Sequence, residues 1–338
     1  MVNQPGQLGW GLVGCGWVAA DYVAPAIVGS SNGRLVAVHD LDRGAMARVE
    51  ANSRGAGGCP RAYNHLHELL ADPEVRAVYV ATPNHVHAPI VAASARTGKH
   101  VLCEKPMATT LDDARGMVEA CASAGVTYAT AFDQRYHAAH RKLRALVADG
   151  SLGVVTQARI HYACWLPADW APDNWRVDPS RAGGGALIDL APHGVDLLEV
   201  ILGDEWSELV ALKQSKVHAY AVDDGAVLAG RFRGGALATI HVAYNCPEAF
   251  PRRTLEVIGT RAMAVAVDTM GQTPGGTLTL VDAASGGRSD ATPPPDEDRG
   301  PFVAQVEAFA RSILAGEAYP FPPSKDLRTF GLLEAACR

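Results

Sequence analysis

The chain contains no apolar run as long as the roughly 18–20 residues that a membrane helix needs. It also has no basic excess. Its 30 Lys+Arg stand against 36 Asp+Glu, for a formal net charge of −6 and a pI near 6.0. That leaves no electrostatic footprint for nucleic acid. Seven cysteines (Cys15, Cys59, Cys103, Cys121, Cys164, Cys246, Cys337) are odd in number and scattered, with no C-x-x-C pair. This argues against a disulfide framework and against a zinc site, and fits a reducing cytoplasm. No internal repeat is found, and residues 1–6 have neither the basic region nor the apolar core of a signal peptide. At the other end, Cys337-Arg338 stop inside a helical pattern without a C-cap, as a truncated sequence would. What remains is a chain of 338 residues, 48% hydrophobic and 20% charged, with the composition of a folded protein and the length of two domains.

The first third alternates strand and helix. Residues 8–13 read as a short buried strand and 17–28 as a helix, and between them Gly14-Cys15-Gly16-Trp17-Val18-Ala19 has the G-x-G-x-x-A spacing of a dinucleotide-binding turn. Gly14 permits the tight turn, Gly16 lets the backbone approach a pyrophosphate, and Ala19 allows close helix–strand packing. The amides from Cys15 to Val18, at the helix amino terminus, would then face the phosphates. A second strand over 34–40 ends in Asp40, placed to accept hydrogen bonds from ribose hydroxyls. It follows Gly14 by 26 residues, against about 20 in the usual spacing. A solvated strand-end acid or helix cap is the other reading of Asp40. Arg43, three residues on, could pair with a 2′-phosphate, so NAD is expected and NADP stays possible. Helices over 65–71, 86–97 and 110–124 then alternate with strands over 75–81, 100–103 and 126–131, which implies βαβ units and a mostly parallel sheet.

Past residue 131 the texture changes. A helix over 137–148 leads to a strand over 154–164, an aromatic segment over 165–181, the run Gly183-Gly184-Gly185 and a helix reaching residue 201. From 208 to 280 strands follow one another through turns, the clearest hairpin passing through Gly234-Gly235. The segment 285–300, rich in Gly, Pro and acid, reads as a mobile surface loop. Two helices, near 302–315 and 325–336, close the chain. The fold class is therefore α/β: a dinucleotide-binding domain over 1–131, then an α+β domain over 132–338 with a mostly antiparallel sheet.

Two constellations could carry chemistry. Lys105, in Cys103-Glu104-Lys105-Pro106, lies at the carboxyl edge of the parallel sheet, where ligands of such folds bind. Partly desolvated, its ammonium could polarise a carbonyl or move a proton; a Glu104–Lys105 surface ion pair is the alternative. In Asp189-Leu190-Ala191-Pro192-His193-Gly194-Val195-Asp196, a helix would set Asp189, His193 and Asp196 on one face. A carboxylate beside a histidine orients it for acid–base work. Asp189 and His193 have metal-ligand spacing but no third ligand, and no metal is expected. Pro192 would break a helix interior, so either the helix begins near it or the backbone is kinked. Trp165, Trp170 and Trp175, with Asp169 and Arg176 among them, suit a sugar ring and its hydroxyls, or else cover the sheet or form a subunit interface.

Taken in order along the chain, several motifs resemble the glucose–fructose oxidoreductase, inositol dehydrogenase and rhizopine-catabolism (Gfo/Idh/MocA) family. They are the glycine turn, Thr82-Pro83-Asn84-His85-Val86-His87, Gly98-Lys99-His100-Val101-Leu102-Cys103-Glu104-Lys105-Pro106, the Gly183–Gly185 run, and Asp189 with His193. The resemblance implies a Rossmann domain followed by a domain with a large, open sheet, and hydride exchange between a nicotinamide and a sugar or cyclitol, in a homodimer or homotetramer formed through the second sheet. It implies that His193 exchanges the hydroxyl proton, Lys105 polarises that oxygen and Asp189 supports both. It sets Thr82, Asn84, His87, Glu104 and Lys105 along the cofactor, whereas spacing alone reads His85 and His87 as helix-start residues. Arg135, Trp165, Trp175 and Arg176 are expected to meet the substrate. Asp133-Gln134-Arg135 stands where many members carry Asn-x-Arg, which leaves the role of Asp133 open. Rival readings are a non-catalytic NAD(P)-binding regulator, or a reductase of a non-sugar carbonyl such as a diketone or bile pigment.

Overall fold

The structure, a computed structural model, describes residues 6–53, 59–167, 174–295 and 299–337. The chain divides into two compact units, Met1–Ala131 with Phe302–Leu327, and Phe132–Pro301 with Arg328–Arg338.

In the first unit, β1 (Leu8–Val13), β2 (Gly33–His39), β3 (Arg61–Tyr63), β4 (Ala77–Val80), β5 (His100–Glu104) and β6 (Tyr128–Ala131) pair in the order β3-β2-β1-β4-β5-β6. Every pair is parallel. β1 and β4 are buried at every residue, as expected of strands covered on both faces. The strand order reverses between β1 and β4, the point at which ligands of doubly wound sheets bind. The connecting helices are α1 (Ala24–Gly29), α2 (Arg43–Asn52), α3 (Leu66–Ala71), α4 (His87–Arg96) and α5 (Leu111–Ser123).

Several details depart from the sequence reading. The helix expected over 17–28 contains a π-helical turn at Ala19–Val23 before α1 begins. α2 was not anticipated, because only Met46 and Val49 of it are buried and its apolar periodicity is faint. Asp42 caps it, accepting from the Gly44 amide at 2.7 Å. Finally, the linear division assigned 302–327 to the second domain, yet Phe302–Leu327 belongs to the first unit. Phe309 lies 5.5 Å from Trp10 and Phe302 stacks on Tyr22. The Glu307 carboxylate accepts from the amide and hydroxyl of Ser31 at 2.8 and 2.9 Å. Most of α9 (Pro301–Ala315) thus returns to a unit whose strands all end by residue 131, which no local pattern announces.

The second unit is built on eight strands, β7 (Val155–Ala163), β8 (Trp206–Gln214), β9 (Gly225–Phe232), β10 (Leu237–Ala243), β11 (Arg253–Gly259), β12 (Ala262–Val267), β13 (Thr277–Asp282) and β14 (Arg288–Asp290), ordered β14-β13-β12-β11-β7-β10-β9-β8. Only β7 and β10 run parallel; the other pairs are antiparallel. The hairpin through Gly234-Gly235 joins β9 to β10. β14 is an edge strand inside the stretch read as a loop, paired with β13 through Arg288, Ser289 and Asp290. Its three residues are all exposed, so no alternation marked it.

α8 (Ala186–Leu202) lies on one face of this sheet, against β7, β9 and β10, with α6 (Ala138–Ala148) beside it. Leu187, Leu190, Val195 and Leu198 of α8 join Ile160, Leu228, Ile240 and Val242 of the strands in one core. The opposite face exposes Val210, Leu212, Val227 and Leu237. Short α7 (Pro179–Ala182) precedes α8, and α10 (Pro323–Ala336) follows α9. No helix among the described residues is long and apolar enough to cross a membrane.

Candidate active site

At the end of β1 the backbone turns at Gly14 with φ +89°, where a Cβ would stand 2.6 Å from the Ala81 carbonyl oxygen and 2.8 Å from the Thr82 nitrogen. Glycine alone meets both conditions. Gly16 is the reverse case: nothing lies within 4 Å of the place its Cβ would take. Beside that open space the helix begins, and the amides of its first turn, around Trp17 and Val18, have no intrahelical acceptors. Asp40 is fixed against the same turn. Its Oδ2 accepts from the Cys15 amide at 2.6 Å and its Oδ1 from the Asp42 amide at 2.9 Å. The helix cap is Asp42, which disposes of the capping alternative for Asp40. Burial, then the Asp40 charge, pushes the Cys15 thiol up to about 12, so this cysteine is inert in the turn.

The Thr82 hydroxyl oxygen is buried and has no hydrogen-bond partner within the protein. An open cradle, a fixed carboxylate and an orphaned hydroxyl are what a dinucleotide requires, and the residues present fit one. Arg43 is exposed at the first position of α2. Arg48, which the sequence reading missed along with its helix, reaches the Cys15 carbonyl at 3.3 Å.

His87 is placed differently from its expected position along the cofactor. It opens α4 and is wholly buried. Its Nε2 lies 2.9 Å from the Thr82 carbonyl, and its Nδ1 3.1 and 3.2 Å from those of Pro106 and Met107. The ring therefore packs between the segment after β4 and the segment after β5, and when neutral its single N–H donates to one of them. Burial holds its pKa below the ordinary histidine value against the pull of these carbonyls. Asn84 is buried in the 3-10 turn Asn84–Val86. Glu104 accepts from the Tyr79 hydroxyl at 2.8 Å and from the Lys105 amide at 3.3 Å. The Glu104 carboxylate thus holds the main chain that carries the half-buried Lys105.

In the second unit, α8 continues through Pro192 in its interior. Its start is held by Asp223, whose carboxylate accepts from the amides of Gly185 and Leu187 at 2.9 and 2.8 Å and whose carbonyl accepts from Ala186. A Cβ on Gly185 would collide with that Asp223 main chain, which explains the last glycine of the 183–185 run. Asp189 and His193 share a helix face, as the spacing required. Their partners are not those the spacing offered. Asp196 is taken by Arg135, whose Nε and Nη2 donate to it at 2.7 and 2.6 Å with both side chains buried. Arg135, expected on the substrate, is thus consumed by an internal ion pair beneath the Phe132 ring, 4.7 Å from its centre.

The carboxylate beside His193 is Asp133, 3.5 Å from Nδ1. Asp189 accepts from the Tyr244 hydroxyl at 2.8 Å. Burial, with the Asp189 charge, keeps that phenol well above its ordinary pKa, so it stays a donor. Tyr244 was not singled out from sequence, although it extends the inward-facing alternation of Ile240 and Val242, where a hydroxyl needs a partner.

Arg176 lies over the Trp175 ring at 4.5 Å, within a 3-10 turn capped by Asn174. Trp165, partly exposed, packs edge-on against His218, which stacks on Tyr220. Trp170 and Asp169 lie outside the described residues. Among those described, no group of three or more His, Cys, Asp or Glu could hold a metal ion.

Comparison with known proteins agrees with this fold. Residues 8–132 match the oxidoreductase family with an NAD-binding Rossmann fold, and residues 140–265 match the GFO/IDH/MocA C-terminal domain. The 1,5-anhydro-D-fructose reductase of Ensifer adhaerens is 37% identical over 320 residues, covering 94% of this chain and 91% of that one. The myo-inositol 2-dehydrogenase of Thermotoga maritima is 30% identical over 266 residues, 77% of this chain and 76% of its own. Among solved structures, the aldose-aldose oxidoreductase from Caulobacter crescentus complexed with glycerol superposes with a TM-score of 0.87 at 26% identity, over 98% of this chain and 97% of that one. The chain therefore belongs to the GFO/IDH/MocA oxidoreductase family and carries its NAD-binding Rossmann fold.

Proposed function

We propose that this protein interconverts a hydroxyl and a keto group on a sugar or cyclitol, with Lys105, Asp189 and His193 as its catalytic residues. The observation that carries the reading is the geometry around His193. Its imidazole is held on α8 one turn after Asp189, with the Asp133 carboxylate 3.5 Å from Nδ1. A ring so flanked suits the exchange of a proton with a substrate hydroxyl near neutral pH. NAD, when bound, supplies or accepts the hydride. Lys105 polarises the substrate oxygen as a positive donor at the carboxyl end of a parallel strand. Asp189, steadied by Tyr244, orients the reacting hydroxyl. Trp175 with Arg176, and the partly exposed Trp165, supply an apolar ring face and a charged donor of the kind a polyhydroxylated ring binds.

The fixed Asp40 carboxylate favours the free 2′-hydroxyl of NAD over the 2′-phosphate of NADP. The sheet face bearing Val210, Leu212, Val227 and Leu237 suits a second copy of the chain, and the seven free thiols suit a reducing cytoplasm. The names of two relatives support the substrate class, one a reductase of 1,5-anhydro-D-fructose and one a dehydrogenase of myo-inositol. The test is a panel of sugars and cyclitols followed by nicotinamide absorbance, with NAD and NADP in parallel. Lys105→Met and His193→Ala should each lower turnover on the best substrate by about 10²–10⁴, with dinucleotide affinity little changed. Near-normal turnover in both variants would refute the assignment.

A further inference from the structure

We propose that Asp133 is a positioning residue for His193, holding the ring by charge and favouring its protonated form, and so setting the pH range over which the protein turns over. The inference rests on His193 being the proton-exchanging group proposed above. Its geometry is built by three neighbouring residues. The 3-10 turn Asp133–Tyr136 is bound to α8 by the buried Arg135–Asp196 pair, and Asp196 lies three residues after His193 on that helix. With the turn fixed in this way, Asp133 Oδ1 comes 3.5 Å from His193 Nδ1, the two side chains being only 5% and 9% exposed. The other carboxylate oxygen is held from behind. Gln134 Nε2 donates to Asp133 Oδ2 at 2.8 Å and to the Gly271 carbonyl at 2.7 Å. The carboxylate therefore cannot swing away without leaving the Gln134 amide short of an acceptor.

At 3.5 Å the contact is longer than a good hydrogen bond and acts mainly through charge. The rings of Phe132 and Tyr162 stand edge-on to the imidazole at 6.4 and 5.7 Å, and burial of this kind weakens screening by water. The other charged and titratable groups on the surrounding elements contribute less directly. Asp189, one turn earlier on α8, accepts from Tyr244. Arg135 and Asp196 offset one another. Tyr162 of β7 is kept neutral by burial, and Arg253 of β11 acts on Tyr162. An opposite charge at such a distance moves a titration by about one to three pH units, here upward for the imidazole and against the downward push of burial. With Nδ1 turned to Asp133, Nε2 is the nitrogen directed away from it, toward a substrate hydroxyl.

The test is Asp133→Asn, which keeps the shape of the side chain and an oxygen for Gln134 while removing the charge. Ring signals of the 12 histidines would be followed by NMR against pH in the substrate-free protein, with His193 assigned by its disappearance in His193→Gln. In the native chain the His193 midpoint is set by burial, which lowers it, and by the Asp133 charge, which raises it. In Asp133→Asn it should fall by about one unit or more, and the acid limb of kcat/KM should move to lower pH by the same amount. kcat on the plateau should drop about tenfold with KM nearly constant, as expected when charge is lost from the protonated ring alone. A native midpoint that Asp133→Asn leaves in place overturns the inference. A midpoint that moves while the kcat/KM limb stays fixed supports the pairing but refutes His193 as the proton-exchanging group.

Discussion

Arg135 was expected on the substrate and is instead found in a buried ion pair, and the two roles predict opposite outcomes for Arg135→Met. The guanidinium donates twice to Asp196, at 2.7 and 2.6 Å, and the two side chains are 0% and 1% exposed. Removing one partner strands a buried charge, at a cost of about 3–5 kcal/mol. For a unit of about 150–250 residues each kcal/mol lowers Tm by about 2–4 °C, so Arg135→Met and Asp196→Leu should each melt roughly 6–20 °C below the parent. The double variant leaves no stranded charge and should recover most of this loss, with a coupling of about 2 kcal/mol or more in the double-mutant cycle. Calorimetry of the four proteins supplies the numbers. An Arg135→Met protein that melts within about 2 °C of the parent, while its substrate KM rises tenfold or more, would refute the structural role and restore the substrate one.

Gly16→Ala should fold and melt like the parent, because its Cβ meets nothing in the chain, yet bind dinucleotide about 10- to 100-fold more weakly; unchanged affinity in a fluorescence titration would mean that no phosphate approaches there. Gly14→Ala should weaken binding as well, but with a fall in Tm, because its Cβ strikes main-chain atoms of Ala81 and Thr82. His140 is wholly buried between the Gln134 carbonyl and the Thr269 hydroxyl, and burial pushes its pKa down to about 3. Its folded value lies below its unfolded one, so its stabilisation is complete above about pH 6.5 and is lost as the pH falls from there toward 3, at up to about 1.4 kcal/mol per unit. Urea unfolding of the parent should therefore weaken faster than that of His140→Gln between about pH 6.5 and 4.5, and parallel lines would contradict this.

The sequence by itself determined the parallel half of the fold and the polarity of its ligand edge. Period and spacing suffice there: buried strands recur between helices, and the glycine turn is a local requirement of φ and clearance, both legible residue by residue. It also determined that Asp189 and His193 share a helix face, since four residues on an α-helix leave no other arrangement. Local patterns failed where an element has little apolar periodicity, as in α2 and the all-exposed β14, and with α2 went Arg48. They failed again for residues 302–327, whose place is set by Phe309 against Trp10 and Glu307 against Ser31, contacts between residues more than 270 positions apart. Which acid serves which base was likewise beyond the sequence. Asp196 stands three residues from His193 on one face, yet it is claimed by Arg135 from another element, and Asp133 takes the position beside the imidazole. Spacing fixes which side chains share a surface. Only tertiary packing decides which partner each of them meets, because a buried charge is neutralised by the nearest opposite charge in space, wherever that charge lies along the chain.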